Sequence, residues 1–404
     1  MRLGIVTICL ALVLSACGSR DLVLYSGGDP NNIPVLPTVT PDGNELTEFF
    51  RPQVTPTPVA FQVLPSDDDT LVLDPVEVGS VGEDNVLGQH MQSLSAAGLF
   101  SGSILVARRG EILLRHGYGM STDSIVATST TRYRIASLSK QFTAALILRL
   151  YEQQRIDLEA SICNYLDDCP AAWAGINVRH LLAHNSGIPD YTDFRDFDPR
   201  QATPTNRAEL ISRFRNQPLI FAPGSSYRYS NSGYVLLGQI IENVTGQPYD
   251  VVLFNEITGP LGLNDTGYDK SINGSDPRLA KGYHSKGRNT DAIDSSTLDA
   301  AGGMYSTIDD LFRWDRALIE GRMLRSETLA MMRTPQLKNY GFGVMLNPLA
   351  GMSSVHHDGM ASGIRTYLGN FTDNDICVIV LSNYEAADVV NIAVYLAQLA
   401  TGMP

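Results

Sequence analysis

Ser137 and Lys140 stand three residues apart in the stretch IASLSKQFTA, at the head of an apolar run. Residues at i and i+3 share one face of a helix. A serine hydroxyl is inert at neutral pH until a base lies beside it. A lysine serves as that base only when burial or positive neighbours lower its pKa, and the apolar residues 144–148 provide burial. Free N–H groups and the dipole at a helix N-terminus also favour negative charge developing on Ser137. The chain holds only five lysines, and Ser-x-x-Lys occurs once. The competing reading is a helix-initiating serine followed by a surface lysine.

Two further stretches carry polar groups that suit the same chemistry. In GSSYRYSNSGYVLLG, Tyr229 and Asn231 flank one residue, so an extended backbone aims both side chains the same way. A phenol there shuttles protons and an amide holds a substrate carbonyl; the plainer reading is a loop whose Asn231 or Ser232 caps a helix. In HHDGMASGIRT, His357 precedes Gly359 ahead of a strand-like run. The glycine lets a ligand approach the backbone, whereas the plainer reading is a turn with an exposed imidazole.

The elements that position these residues follow from periodicity. Residues 102–108 and 111–118 are two β-rich runs joined at Arg109-Gly110, which predicts a hairpin. Residues 365–371 and 375–382, around TDND, predict a second. Between them lie helical patterns over 137–151, 177–184, 206–216, 233–245, 248–257 and 308–320, and a closing helix spans 386–400. The 137–151 helix is apolar on every side and so is buried. Ser306 and Asp309 have capping-box spacing at the start of the 308–320 helix. Strands, helices, strands and a helix in that order predict an α/β body with an all-α lobe: one antiparallel sheet built from the N- and C-terminal hairpins, flanked by helices, with the helical lobe inserted at about 150–330.

Ser-x-x-Lys, Tyr-x-Asn and His-x-Gly, once each and in this order, resemble the three motifs of the serine β-lactamase and penicillin-binding protein superfamily. The resemblance is to the branch of class C β-lactamases, D-alanyl-D-alanine carboxypeptidases, D-aminopeptidases and family VIII esterases. GSILVARRGEILLRHGYG, LLAHNSGIPDY, PLGLNDTGY and AGGMYSTIDDL are similar too, so it covers about 95–400. It implies the β-lactamase/transpeptidase-like fold with its site between the lobes. By position, Ser137 would be the acyl-forming nucleophile, and Lys140 would take its proton with Tyr229, which later protonates the leaving group. The resemblance leaves open which of the two is the primary base. Asn231 would bind the substrate amide, and His357 would line the facing wall and support Tyr229 or a substrate carboxylate. The oxyanion hole would be the N–H groups of Ser137 and of Met360, just past Gly359. Class C β-lactamases usually carry lysine at His357; histidine resembles the peptidase side. Asp358, if it faced the cleft, would repel a substrate carboxylate, unless it points away or Arg365 offsets it.

Composition sets the setting. With 404 residues, 44% apolar and 18% charged, the chain affords a large core. A net charge of -13 and no basic run argue against nucleic acid as a partner. Arg2, a short apolar run and LSAC ending at Cys17 read as a signal peptide over 1–17. LSAC resembles a lipobox, which would leave Cys17 as the lipid anchor of an extracytoplasmic lipoprotein on a bacterial membrane. Residues 18–85, rich in proline and threonine, read as a tether, and 86–404 as the hydrolase domain. In an oxidising compartment Cys163 and Cys169 predict a small-loop disulfide, with two free thiols as the alternative. HLLAH at 180–184 lacks the glutamate of a zinc motif, and His184 is expected to brace the loop NSGIPD instead. No nucleophile elbow, Walker or dinucleotide pattern appears, and no cofactor or metal is expected. Together these predict a serine hydrolase acting through an acyl-enzyme on amides or esters, with D-amino-acid cell-wall peptides as the leading substrates. The alternatives are β-lactam or small-ester hydrolysis at the same site, or a non-catalytic scaffold or ligand sensor. The sequence does not fix the oligomeric state.

Overall fold

The computed structural model describes residues 80–270 and 276–403. The expected leader over 1–17 with Cys17, and the tether as far as residue 79, lie outside the described residues.

Strands are numbered in chain order. Strands β1 (Gly102–Arg108) and β2 (Glu111–Tyr118) form the first hairpin. Its two-residue turn has positive φ at both Arg109 and Gly110, the turn whose twist matches antiparallel strands. Three short strands, β3 (Tyr133–Arg134), β4 (Gly267–Tyr268) and β5 (Met304–Ser306), make a small sheet in the order β3-β5-β4. The last three, β6 (Ser354–Ala361), β7 (Ile364–Phe371) and β8 (Ile376–Ser382), join the first hairpin in one antiparallel sheet. Its order is β2-β1-β8-β7-β6, with β1 and β8 paired from Gly102↔Ser382 to Arg108↔Ile376. The two chain ends therefore build the sheet jointly.

Both faces of this sheet are covered. Helices α1 (Val86–Ala96) and α5 (Val389–Thr401) pack on one face against Ile104, Val106, Tyr367, Val378 and Val380. The opposite face, through Leu105, Ala107, Leu368, Cys377, Ile379 and Leu381, joins the larger core of the helical lobe. Burial on both sides is why ICVIVL reads as an unbroken apolar run. Helix α2 (Ser139–Glu152) runs through the middle of that core, with every residue from Ser139 to Leu148 buried. Helices α3 (Asn231–Thr245) and α4 (Ile308–Ile319) are the other long members. Cys163 and Cys169 are joined as a disulfide.

Several elements differ from expectation. The His-Asp-Gly segment precedes strand β7 as expected, but it also lies within a strand of its own, β6. Alternating polar residues and a glycine masked an edge strand. The cap of α4 is Thr307, which accepts from the Asp310 N–H, not Ser306. The helix expected over 248–257 changes winding after Leu253, into a π turn over Phe254–Thr258. Helix α1 escaped notice because its polar residues dilute the apolar pattern; Asn85 caps it by accepting from Leu87 and Gly88. Val81 pairs with Arg115, so the folded body begins ahead of residue 86.

Candidate active site

Ser137 lies in a single 3-10 turn, Ala136–Leu138, that leads into α2. The preceding residue, Ala136, has φ 45°, a left-handed conformation unfavourable for alanine. Its flanks are pinned. Ile135 N–H donates to Met304 O on β5, and Thr366 Oγ1 donates to Ile135 O from β7. The serine is thereby held at the seam between the sheet and the helical lobe.

Lys140 is fully buried one turn on. Its Nζ lies 2.8 Å from Asn231 Oδ1, 2.8 Å from Ala301 O and 3.2 Å from Ser137 Oγ. The two shorter partners only accept, so they fix two amine hydrogens. In the neutral amine the third tetrahedral position, the lone pair, then points at the Ser137 hydroxyl. Burial pushes this amine down to about 7, against the opposing pull of Asp190 and Asp358. A lysine that is half neutral near pH 7 has the protonation behaviour of a general base.

Asn231 turns inward. Its Oδ1 accepts from Lys140, while Nδ2 donates to Asp190 Oδ2 at 2.9 Å and Thr192 Oγ1 at 3.1 Å. Both Nδ2 hydrogens are taken, so Asn231 positions Lys140 and has no free donor for a substrate carbonyl, while the second lone pair of Oδ1 can still accept from a substrate amide N–H. Asp190 also accepts from the backbone N–H groups of Asn231 and Thr192. Its loop is locked to α3 by Ser232, which donates to Pro189 O and accepts from Tyr191 N–H. The carbonyl of Ala301 is set by a short turn whose Asp299 is gripped by Arg207 and Tyr268.

Tyr229 flanks Lys140, whose Nζ lies 4.8 Å from the phenol ring centre. Burial pushes this phenol well above its ordinary range, against the hydrogen-bonding influence of Ser137. At neutral pH it is a proton donor. His357, 1% exposed, is committed on both nitrogens. Its Nδ1 lies 2.6 Å from the Asp358 carbonyl, which only accepts, so Nδ1 carries the hydrogen. Nε2, 3.0 Å from Tyr340 Oη, then accepts from that phenol. Burial holds His357 down at about 3, so it is neutral. The structure thus assigns His357 to Tyr340, and it approaches Tyr229 only ring to ring, at 6.2 Å. It presents neither charge nor free nitrogen to a substrate carboxylate.

Strand β6 forms the facing wall. His356 exchanges backbone hydrogen bonds with Met345 on the side away from β7. Backbone groups alternate along a strand, so Asp358 and Met360 turn theirs to the same open edge. Gly359 permits the approach to Ser137: a Cβ there would lie 2.2 Å from Thr366 Oγ1, 2.6 Å from Ile135 O and 3.2 Å from Ser137 N. The Ser137 N–H, in a first turn without an intrahelical partner, and the Met360 N–H, on the open edge of β6 one residue past Gly359, lie on these two neighbouring segments. The Met360 side chain is 65% exposed. Asp358 lies on the opposite face from His357, with Tyr367 and Arg365 of β7. Burial raises its pKa, and Arg365 followed by Lys140 counter that.

The structure thus brings Ser137, Lys140, Tyr229, Asn231, His357, Gly359 and Met360 together where the sheet meets the helical lobe. Asp190, His184, Tyr340 and the Ala301 carbonyl were not singled out as site groups, although LLAHNSGIPDY and AGGMYSTIDDL hold three of them. The histidines of HLLAH are spent on backbone: His180 Nδ1 accepts from Asn177 N–H and His184 Nδ1 from Ser230 N–H. His184 therefore braces the segment around Tyr229, where NSGIPD was expected.

A serine beside a buried lysine, at the seam of an antiparallel sheet and a helical lobe, defines the class of serine β-lactamases and penicillin-binding proteins. Residues 84–401 match the Beta-lactamase family, and the chain belongs to it. Penicillin-binding protein 4* of Bacillus subtilis (strain 168) is 31% identical over 315 residues, covering 71% of this chain and 68% of that protein. A D-aminopeptidase of Gluconobacter oxydans is 26% identical over 329 residues, 75% of this chain and 59% of that protein. Among solved structures, the octameric penicillin-binding protein homologue from Pyrococcus abyssi superposes with a TM-score of 0.71 at 27% identity, covering 78% of this chain and 77% of that one. The D-amino acid amidase from Ochrobactrum anthropi SV3 gives 0.67 at 27% identity, covering 78% and 99%. The chain is a serine hydrolase with amide-hydrolysing relatives.

Proposed function

We propose that this protein is an extracytoplasmic, lipid-anchored serine hydrolase that cleaves amide bonds of small D-amino-acid compounds through an acyl-enzyme on Ser137. The observation that carries it is the orientation of Lys140, whose two short bonds to pure acceptors leave its third position for the Ser137 hydroxyl. As Oγ bonds to the substrate carbonyl carbon, its proton passes to Lys140 Nζ. The carbonyl π electrons move to oxygen, which the Ser137 and Met360 N–H groups receive; one such donor is worth about 3 kcal/mol in the transition state. Collapse expels the amine, which takes a proton from Tyr229 Oη, and the Lys140 ammonium restores the phenol. Water then repeats the sequence in reverse on the ester.

The D-amino-acid preference is supported by the printed activities of the D-aminopeptidase and D-amino acid amidase relatives. It is supported too by the neutral His357, which supplies no cation for the carboxylate of a penicillin or a peptide C-terminus. Extracytoplasmic placement and lipidation of Cys17 rest on the lipobox-like LSAC and on the Cys163–Cys169 disulfide, which suits an oxidising compartment.

The test is turnover of D- and L-alanine amides, a D-Ala-D-Ala peptide, nitrocefin and p-nitrophenyl butyrate by wild type and Ser137→Ala. Release of amine from the D-amide, faster than from the L-amide and lost in the variant, is expected. Rapid ester or nitrocefin hydrolysis with no amine release would overturn the substrate assignment. Globomycin-sensitive processing of the full chain tests the anchor.

A further inference from the structure

His184 touches the segment around Tyr229 in three ways. Its backbone carbonyl accepts from Arg228 N–H at 2.9 Å, and its Nδ1 accepts from Ser230 N–H at 3.1 Å. The residues on either side of Tyr229 are therefore both tied to this one histidine. Its ring lies 4.2 Å from the Tyr229 ring, tilted by 36°. Tyr234 and Tyr340 close the rest of the cage, at 5.1 and 4.6 Å.

Two features show that His184 is held at a cost, one of backbone conformation and one of desolvation. Its φ is 56°, a left-handed conformation uncommon for non-glycine residues, although histidine adopts it more readily than most. Its Nε2 is buried with no hydrogen-bond partner. Because Nδ1 accepts, Nε2 carries the hydrogen of the neutral ring. Backbone strain of this kind persists where the surroundings over-determine it, and it gathers at functional sites.

We propose that His184 is the positioning residue of Tyr229, fixing backbone and ring together so that the phenol meets the departing amine. This rests on the reading of Tyr229 as the acid of the acylation step. His184 hydrogen-bonds neither Ser137 nor Lys140, and it acts on the reaction through the tyrosine.

The consequence is selective. A p-nitroanilide needs its nitrogen protonated as it leaves, whereas p-nitrophenolate departs unaided. His184→Ala removes the Nδ1 acceptor and the ring. Its kcat for a D-alanine p-nitroanilide is expected to fall ~30-fold or more, within the usual worth of a positioned acid, with KM little changed. For p-nitrophenyl butyrate the burst of p-nitrophenolate, which reads acylation alone, is expected to slow by no more than ~3-fold. His184→Asn places Oδ1 where Nδ1 lies and tolerates positive φ, so it is expected to recover most of the anilide rate. If the alanine variant does not fold, as read by circular dichroism, His184→Gln serves. Its amide reaches past Ser230 N–H, and the same selective loss is expected. Equal losses on both substrates, no loss on the anilide, or an asparagine variant no better than alanine would each overturn the proposal. Tyr229→Phe is run alongside. A Tyr229→Phe enzyme that keeps its anilide rate refutes the tyrosine acid itself, whereas selective loss in Tyr229→Phe without it in His184→Ala refutes only the role of His184.

Discussion

Removing the charge of Asp190 isolates what sets the basicity of Lys140. The carboxylate lies behind Asn231, which bridges it to Nζ through contacts of 2.9 and 2.8 Å. The span from carboxylate to ammonium is thus ~7 Å, and at an effective dielectric of 20 a unit pair is worth about 2 kcal/mol. That corresponds to ~1.5 pH units on the lysine. The sign follows from which form is helped: the negative charge favours the ammonium, so it raises the Lys140 pKa against burial, which holds it at about 7. Asp190→Asn therefore lowers that pKa. The assay is kcat/KM against pH with p-nitrophenyl butyrate, which reports the free enzyme. Wild type should gain activity as pH rises through about 7, where Lys140 becomes neutral. The Asp190→Asn limb should lie ~1 unit or more lower, with folding verified by its thermal transition. A limb that stays put, or moves to higher pH, would refute the assignment of Lys140 as the titrating base under the field of Asp190.

Three further outcomes are expected. Gly359→Ala places a methyl carbon 2.2 Å from Thr366 Oγ1 and 2.6 Å from Ile135 O; stability in urea should fall by about 1–3 kcal/mol and acylation of Ser137 should slow sharply. His357 and His356 are held at about 3 and about 4, and His184 well below its ordinary range, all by burial. Their folded pKa values are depressed, so their contribution is complete above ~6.5 and is lost as pH falls, by up to about 1.4 kcal/mol per unit per imidazole, which denaturant titrations from pH 7 to 4 will read. Cys163→Ser opens the small Cys163–Cys169 loop, and should cost about 2 kcal/mol in the chain-entropy account, seen as a Tm lower by a few degrees with the active site intact.

The sequence carried the site further than it carried the contacts within it. Ser137, Lys140, Tyr229, Asn231, His357 and Gly359 fall in short spaced motifs, and such motifs stay visible in one dimension. The N- and C-terminal hairpins were legible because β-rich runs met at a two-residue turn and at TDND. The partners of the motif residues were less so. Asn231 looked available as a donor to substrate because nothing local shows that Asp190, 41 residues earlier, takes an amide hydrogen. His357 looked like a cleft residue because Tyr340, 17 residues away, claims its Nε2 only after β6 folds against that loop. Asp358 was ambiguous until strand pairing set it beside Arg365 on the far face. Motif spacing reports which groups meet, whereas hydrogen-bond saturation depends on contacts the chain makes at long range.

The central claim is that Lys140 makes Ser137 a nucleophile, and intact-mass spectrometry with peptide mapping after brief fluorophosphonate treatment tests it most directly. The account requires one adduct per chain, located on Ser137, absent in Ser137→Ala and formed far more slowly in Lys140→Ala. An adduct on another residue, or wild-type labelling of Ser137 in Lys140→Ala, would contradict it.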